Sequence, residues 1–288
     1  MPRLFQSLSF CLLVLVSSYW PLTVAAETAK KTIILAVHPY LPFQELHKRY
    51  QPLAKYLREV LDATVVVRIG RDYGEHIAHI GMDKVDIAYM GPATYVRLVE
   101  KYGKKPLLAR LEVNGKPAFH GYLVTNSNSG VNDIQSLRGK RFAFGDPAST
   151  MSHLVPRHML MEAGMDVGDL MDYQFLGSHK NVALAVLSEA FDAGAVKEEV
   201  MVSYRSRGLK AIARSAPFSE HLFVARADAE DEFVDVVRKA LYQLSESQEG
   251  RRILNSIKFG VTGLVPVEDS DYDNLRAVLK QLSEHGIE

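Results

Sequence analysis

Residues 141–154, Arg-Phe-Ala-Phe-Gly-Asp-Pro-Ala-Ser-Thr-Met-Ser-His-Leu, carry the side chains best spaced for chemistry. Arg141 to Phe144 alternate like a buried strand, and Gly145-Asp146-Pro147 break it. Ser149 and Thr150 then open a helical pattern through Leu154, His158 and Met161 that ends near Gly164. The first amides of a helix lack internal partners and lie at the positive end of its dipole. A strand, a small-residue loop and a hydroxyl-bearing helix start thus make a cradle for a phosphate-like anion. Ser149 and Thr150 would add side-chain donors, or simply cap the helix. Signals for catalysis are weaker. Ser149 lacks a Gly-x-Ser-x-Gly elbow, so its proximity to His153 does not predict a hydrolase. His76 and His79 have i, i+3 spacing, but no third ligand completes a metal shell. No catalytic residue, metal or cofactor is therefore expected.

The elements that must position this cradle alternate along the chain. Strands are predicted over residues 32–37, 64–69, 85–89 and 106–111, with helices over 43–60, 73–80 and 94–102 between them. Asn114-Gly115 marks a turn. Residues 119–125 read as one long strand. After residues 141–144 come predicted strands over 173–176, 193–196 and 209–213, with helices over 181–188 and 197–207 among them. Residues 217–224 read as a return crossing, and 230–288 as a mostly helical cover for the first half. Alternation of this kind implies βαβ units and mainly parallel sheets. Two α/β lobes joined by two extended crossings form a hinge, and ligands favour such clefts. Lobe one is expected over 27–117 plus 222–288, and lobe two over 118–221.

Position in this scheme nominates further residues. Tyr40 follows the first strand, at the strand end where cleft residues of parallel sheets gather. Its alternative is an apolar lid over the core. Tyr89 ends a strand just before Gly91-Pro92, and its hydroxyl either enters the cleft or stays in the core. Thr94 caps the helix after that loop or offers its amide. His179 begins a helix, as a donor or as a surface residue.

The N-terminus has the three parts of a secretory signal: Arg3, an apolar run from Phe10 to Val16, and small residues at Val24-Ala25-Ala26. Residues 1–26 are expected to be removed, leaving a soluble exported chain. That segment holds the only cysteine, Cys11, and the only tryptophan, Trp20. With 34 basic and 34 acidic residues in all and Arg3 lost, the remainder carries a net charge of −1. This near-neutral balance, without a basic stripe, argues against nucleic acid as a partner.

Four stretches resemble the phosphate/phosphite/phosphonate-binding proteins of bacterial ABC importers. They are residues 50–57 (Tyr-Gln-Pro-Leu-Ala-Lys-Tyr-Leu), 86–95 (Asp-Ile-Ala-Tyr-Met-Gly-Pro-Ala-Thr-Tyr) and 145–150 (Gly-Asp-Pro-Ala-Ser-Thr), then Gly177-Ser178-His179 followed by Asp192-Ala193-Gly194-Ala195-Val196. The resemblance implies a two-lobed type II periplasmic binding protein fold. It implies a monomer that binds a small anionic ligand and serves an inner-membrane ABC permease. It also implies that Ser149 and Thr150 hold the oxyanion from lobe two while Tyr40, Tyr89 and the Gly91 loop close from lobe one. The family loop usually runs Ser-Thr-Ser-Gly. Here Met151 removes a hydroxyl, its amide remains, and Ser152 would supply a hydroxyl one position later. The family position that can hold a ligand amino group falls near Glu199, which otherwise reads as half of a solvated acidic pair with Glu198. Two other classes stay open: a sensor partnering a membrane histidine kinase, and an enzyme acting on a phosphoester.

Overall fold

A computed structural model describes residues 30–287; the expected signal segment lies outside them. Strand β1 (Thr32–Val37) leads to α1 (Phe43–Leu61), β2 (Thr64–Ile69), α2 (Tyr73–Gly81), β3 (Ile87–Met90), α3 (Pro92–Tyr102) and β4 (Leu107–Val113). Short β5 (Ala118–Phe119) precedes β6 (Gly121–Asn126) and β7 (Arg141–Phe144). A π-helical turn (Thr150–Leu154) continues as α4 (Val155–Glu162). Then come β8 (Asp172–Phe175), α5 (His179–Leu187), β9 (Ala193–Lys197), α6 (Glu198–Arg205) and β10 (Leu209–Arg214). The chain returns through β11 (Phe218–Ser219) and β12 (Leu222–Ala225) to α7 (Asp231–Gln243), α8 (Gln248–Ile257), β13 (Val261–Val265) and α9 (Asp273–Glu284).

Two sheets result, ordered β13-β4-β12-β3-β1-β2 and β10-β6-β9-β7-β8. In the first, β1 runs parallel to both β2 and β3, while β12 and β13 pair antiparallel. In the second, β7 is parallel to β8 and β9, while β6 is antiparallel to β9 and β10. The sheets are therefore mixed, where alternation alone predicts mainly parallel ones. The strands that cross between sheets enter their new sheet from the opposite direction, which alternation does not reveal. Hydrophobic spacing explains the local structure: α1 buries Leu46, Tyr50, Leu53, Ala54 and Leu57 on one face. It stops at Asp62, whose φ of 44° is left-handed.

The long strand expected over 119–125 is broken at His120. The His120 carbonyl accepts from Glu198 N and its Nδ1 lies 2.8 Å from Ser215 O, so β5 and β6 join different partners. β5 pairs only with β11, forming a two-stranded ribbon apart from both sheets. The C-terminal region also departs from expectation. β13 adds an edge strand to the first sheet. Helix α9 packs on α3 of one lobe and on α4 of the other, so it does not cover lobe one alone. Its buried Leu275, Val278 and Leu282 share one apolar cluster with Tyr95 and Met159. Among the described residues no helix is long and apolar enough to cross a membrane.

Candidate functional site

The carboxyl ends of β1, β3, β7 and β9 converge between the sheets, as expected for open α/β sheets. They enclose a cavity of about 30 Å³. About two or three water-sized groups fill such a space, since about 10–15 Å³ accommodates one. The first sheet supplies His38, Tyr40, Tyr73, Gly91 and Thr94 to its wall. The second supplies Ala148, Ser149, Thr150, Met151, His179 and Lys197. Phe119 and His221 enter from the crossings.

Two helix starts face each other here. Ser149 is the N-cap of the π-helical turn, its hydroxyl accepting from Ser152 N at 3.2 Å. The capping and lining roles of Ser149 thus coexist. The amides of Thr150 and Met151 precede any intrahelical acceptor and bond to no other described residue. Across the cleft, Gly91 is the N-cap of α3 and Pro92 its first residue, so Thr94 lies inside the helix and does not cap it. The Ala93 amide donates to Thr150 Oγ1 at 3.1 Å and ties the two lobes together. That hydroxyl keeps its own proton to donate.

Three nominated residues do not reach the cavity wall. Tyr89 is buried in the core, its ring stacked on His221 at 5.5 Å and tilted against Tyr50 and Phe223. Ser152 is wholly buried, and its hydroxyl donates to Ala195 O at 2.7 Å. It therefore fixes the turn to β9 and does not replace the missing donor at Met151. Met151 itself turns its sulfur toward Gly121, where an added Cβ would lie 3.1 Å from it. Its contribution to the wall is chiefly backbone. Glu199 forms an ion pair with Lys197 at 2.9 Å behind the wall. The histidines set aside as catalytic or metal candidates have structural duties: His76 Nε2 lies 3.1 Å from Tyr89 O, and His153 Nδ1 lies 2.6 Å from Pro147 O. Asp192 binds Arg141 through its backbone amide and its guanidinium. Among the described residues no group of three or more candidate ligands could hold a metal.

Six further residues line the wall that the sequence did not nominate, four of them polar: His38, Tyr73, Lys197 and His221, beside Phe119 and Ala148. The strand-end rule that nominated Tyr40 applies equally to His38, one residue past β1, and to Lys197, the last residue of β9. His221 lies in a crossing and gives no such signal. The histidines are kept uncharged. Burial depresses His38 and His179 well below the usual imidazole value, and neighbouring His221 and Lys197 add to the effect. His179 Nδ1 accepts from Lys197 N at 3.2 Å, so in the neutral ring Nε2 carries the hydrogen and is a donor. The Lys197 ammonium lies 5.3 Å above the Tyr40 ring. Burial pushes the Tyr40 hydroxyl up to about 12, so it also stays protonated.

These buried histidines predict how stability depends on acidity. Burial lowers His76 and His153 to about 4 from 6.5, and His38, His179 and His221 are also depressed. Between those values the unfolded chain binds protons that the folded chain refuses, so stability rises with pH across the window. Thermal unfolding followed by circular dichroism should show a melting temperature that falls progressively from pH 6.5 to pH 4. A flat profile there would mean that these rings accept protons in place.

Comparison with known proteins settles the family. The family model for "ABC transporter, phosphonate, periplasmic substrate-binding protein" matches residues 35–272. The chain belongs to this family. Among curated members of the phosphonate-binding family, the phosphate-import protein PhnD of Mycolicibacterium smegmatis is 28% identical, over 90% of this chain and 88% of its own. A probable ABC transporter phosphite-binding protein, PhnD1, of Prochlorococcus marinus is 23% identical, over 83% of this chain and 85% of its own. The solved structure of Prochlorococcus marinus PhnD1 in complex with methylphosphonate superimposes with a TM-score of 0.80 at 22% identity, covering 88% of this chain and 98% of that one. A binding protein component of an ABC phosphonate transporter from Pseudomonas aeruginosa gives a TM-score of 0.78, covering 90% and 89%. The two-lobed periplasmic binding protein fold is thus shared. The chain is a periplasmic substrate-binding protein of the ABC-transporter class.

Proposed function

We propose that the protein captures a small phosphorus oxyanion (phosphonate, phosphite or phosphate) between its lobes and delivers it to an inner-membrane ABC permease, as a monomer exported by residues 1–26. The observation that carries this reading is the facing pair of helix starts, with Thr150 and Met151, whose amides bond to no other described residue, lining a donor-rich cavity that also holds the Lys197 ammonium. Ser149, Thr150, Met151 and His179 hold the anion from lobe two. Tyr40, Gly91 and Thr94 meet it from lobe one, with His38, Tyr73 and His221 beside them. Ser152 and Tyr89 support this wall from behind, and Glu199 acts through Lys197. The ribbon of β5 and β11 is the hinge between lobe one (27–117 and 222–288) and lobe two (118–221). Charge-assisted bonds contribute about 1.5–3 kcal/mol each, so three or four, less ordering costs, support binding on the order of sub-millimolar to sub-micromolar. No step of this function makes or breaks a bond.

Titration calorimetry with methylphosphonate, phosphite, phosphate and aminoethylphosphonate tests the reading directly. The chain beyond residue 26 has no tryptophan to report binding optically. Thr150→Ala removes both the latch to Ala93 and a ligand donor. It should weaken binding at least ~10-fold, equal to 1.4 kcal/mol, with the ligand-free melting temperature little changed. Thr150→Ser should retain most of the affinity. A lower melting temperature with unchanged affinity would reduce Thr150 to a structural role.

A further inference from the structure

We propose that His221, oriented by Glu220, presents a bare ring nitrogen to the ligand and accepts a hydrogen from it, so that the cleft selects oxyanions carrying an acidic O–H over those without one. This deepens the reading of the cleft as a phosphorus-oxyanion site and rests on it.

The geometry assigns the hydrogen. His221 Nδ1 lies 2.9 Å from Glu220 Oε2, and the His221 backbone amide donates to the same oxygen at 3.1 Å. The other oxygen takes the Lys258 ammonium at 2.5 Å. Burial works against the Glu220 carboxylate, but Lys258 and His221 outweigh it and hold the carboxyl well below its usual range. An ionised carboxylate only accepts, so the hydrogen in the contact with the ring sits on Nδ1. Burial, reinforced by Lys258 and Lys197 and opposed by Glu220, keeps the ring below its ordinary value and therefore neutral near pH 7. Nε2 is then a lone pair.

That lone pair is open to the cavity. His221 lines it, and a Cβ built on Gly91 would lie 3.5 Å from Nε2, so the missing side chain keeps the approach clear. The neighbouring His38 does not satisfy it: both nitrogens of that buried ring have no hydrogen-bond partner. The rest of the wall is rich in donors, from the Thr150 and Met151 amides, the Ser149 hydroxyl, His179 Nε2 and Lys197, while the neutral His38 ring brings one donor and one acceptor. A tetrahedral oxyanion satisfies those donors with its bare oxygens. An oxygen without hydrogen facing Nε2 would set lone pair against lone pair in a small cavity, whereas a P–O–H turns that contact into a hydrogen bond. Monoprotonated phosphate, phosphite and methylphosphonate all supply one. Sulfate and sulfonates do not.

Methanesulfonate provides a clean comparison, since it matches the methylphosphonate monoanion in shape and charge and lacks only the acidic hydrogen. Titration calorimetry on the intact chain at pH 7 should show methylphosphonate preferred by at least ~100-fold, in line with the penalty for leaving a buried polar group unpaired. His221→Gln, whose amide can turn either face inward, should shrink that preference at least ~10-fold, mainly by improving methanesulfonate binding. Glu220→Gln should turn an amide N–H onto Nδ1, move the ring hydrogen to Nε2 and favour methanesulfonate. Should that variant fail to fold, His221→Gln alone decides. Wild-type affinities within threefold of each other, or an undiminished preference in His221→Gln, would overturn the acceptor role and leave the oxyanion reading standing. A wild-type protein that binds none of the phosphorus oxyanions would overturn both.

Discussion

Gly145→Ala should abolish most ligand binding, lowering oxyanion affinity at least ~100-fold, because displacing preorganised groups by about 1 Å has consequences of that order. A methyl group at Gly145 would lie 2.2 Å from Ser152 Oγ and 2.7 Å from its Cβ. Ser152 has no room to retreat. Its hydroxyl is bound to Ala195 O, its amide to Ser149 Oγ and its carbonyl to Gly145 N at 3.1 Å. The turn must move outward, taking the Thr150 and Met151 amides with it, and overpacking of this kind also destabilises by about 1–3 kcal/mol. Calorimetry and urea unfolding on the same samples separate the two effects. Adding Ser152→Ala removes the closest clash and should restore part of the affinity. Gly168→Ala, with nothing within 4 Å of the added carbon, is the control and should bind normally. Normal binding by Gly145→Ala would mean that the turn does not hold the ligand.

Much of this arrangement was legible in the sequence, for reasons that can be stated residue by residue. Strands such as residues 32–37 and 64–69 announce themselves because both are rich in β-branched side chains and are followed closely by a breaker, Pro39 and Gly70. The anion turn is legible because Gly145-Asp146-Pro147 ends one element and Ser149 caps the next, both through local chemistry. For Ser152, spacing shows that a hydroxyl is near the loop but not that Ala195, 43 positions away, takes its hydrogen. Local pattern does not decide between cleft and core for Tyr89 for a related reason: its ring partners Tyr50, His221 and Phe223 come from α1, the crossing and β12. The bridging role of α9 is likewise invisible, since an amphipathic face does not name the surface it will cover. Local rules thus fix where the chain turns and caps, while long-range pairing decides which polar atoms remain available to a ligand.

The same distinction governs the second large effect, at a residue that no local pattern marks. Glu220→Ala should destabilise the ligand-free protein by about 3–5 kcal/mol, the usual consequence of leaving a buried charge without its partner. Glu220 is wholly buried between β11 and β12, and its loss strands Lys258, itself nearly inaccessible and 5.6 Å from the Phe119 ring. Backbone bonds do not compensate: Glu220 N already donates to Pro117 O and its carbonyl already accepts from Tyr272 Oη. Glu220→Ala/Lys258→Met should recover most of the loss, because an apolar replacement of both partners is often near neutral. Acidity provides an independent check. Lys258 and His221 overcome burial and hold the Glu220 carboxyl below its unfolded value of 4.5. Its stabilisation is therefore fully present above that pH and fades as pH falls toward the folded value. Urea unfolding should show a constant gap between wild type and Glu220→Ala from pH 6 to pH 8, narrowing only in stronger acid. A gap below about 1 kcal/mol at neutral pH, the size of an exposed pair, would mean that water reaches the crossing and that the Glu220 carboxylate is not the fixed acceptor that orients His221.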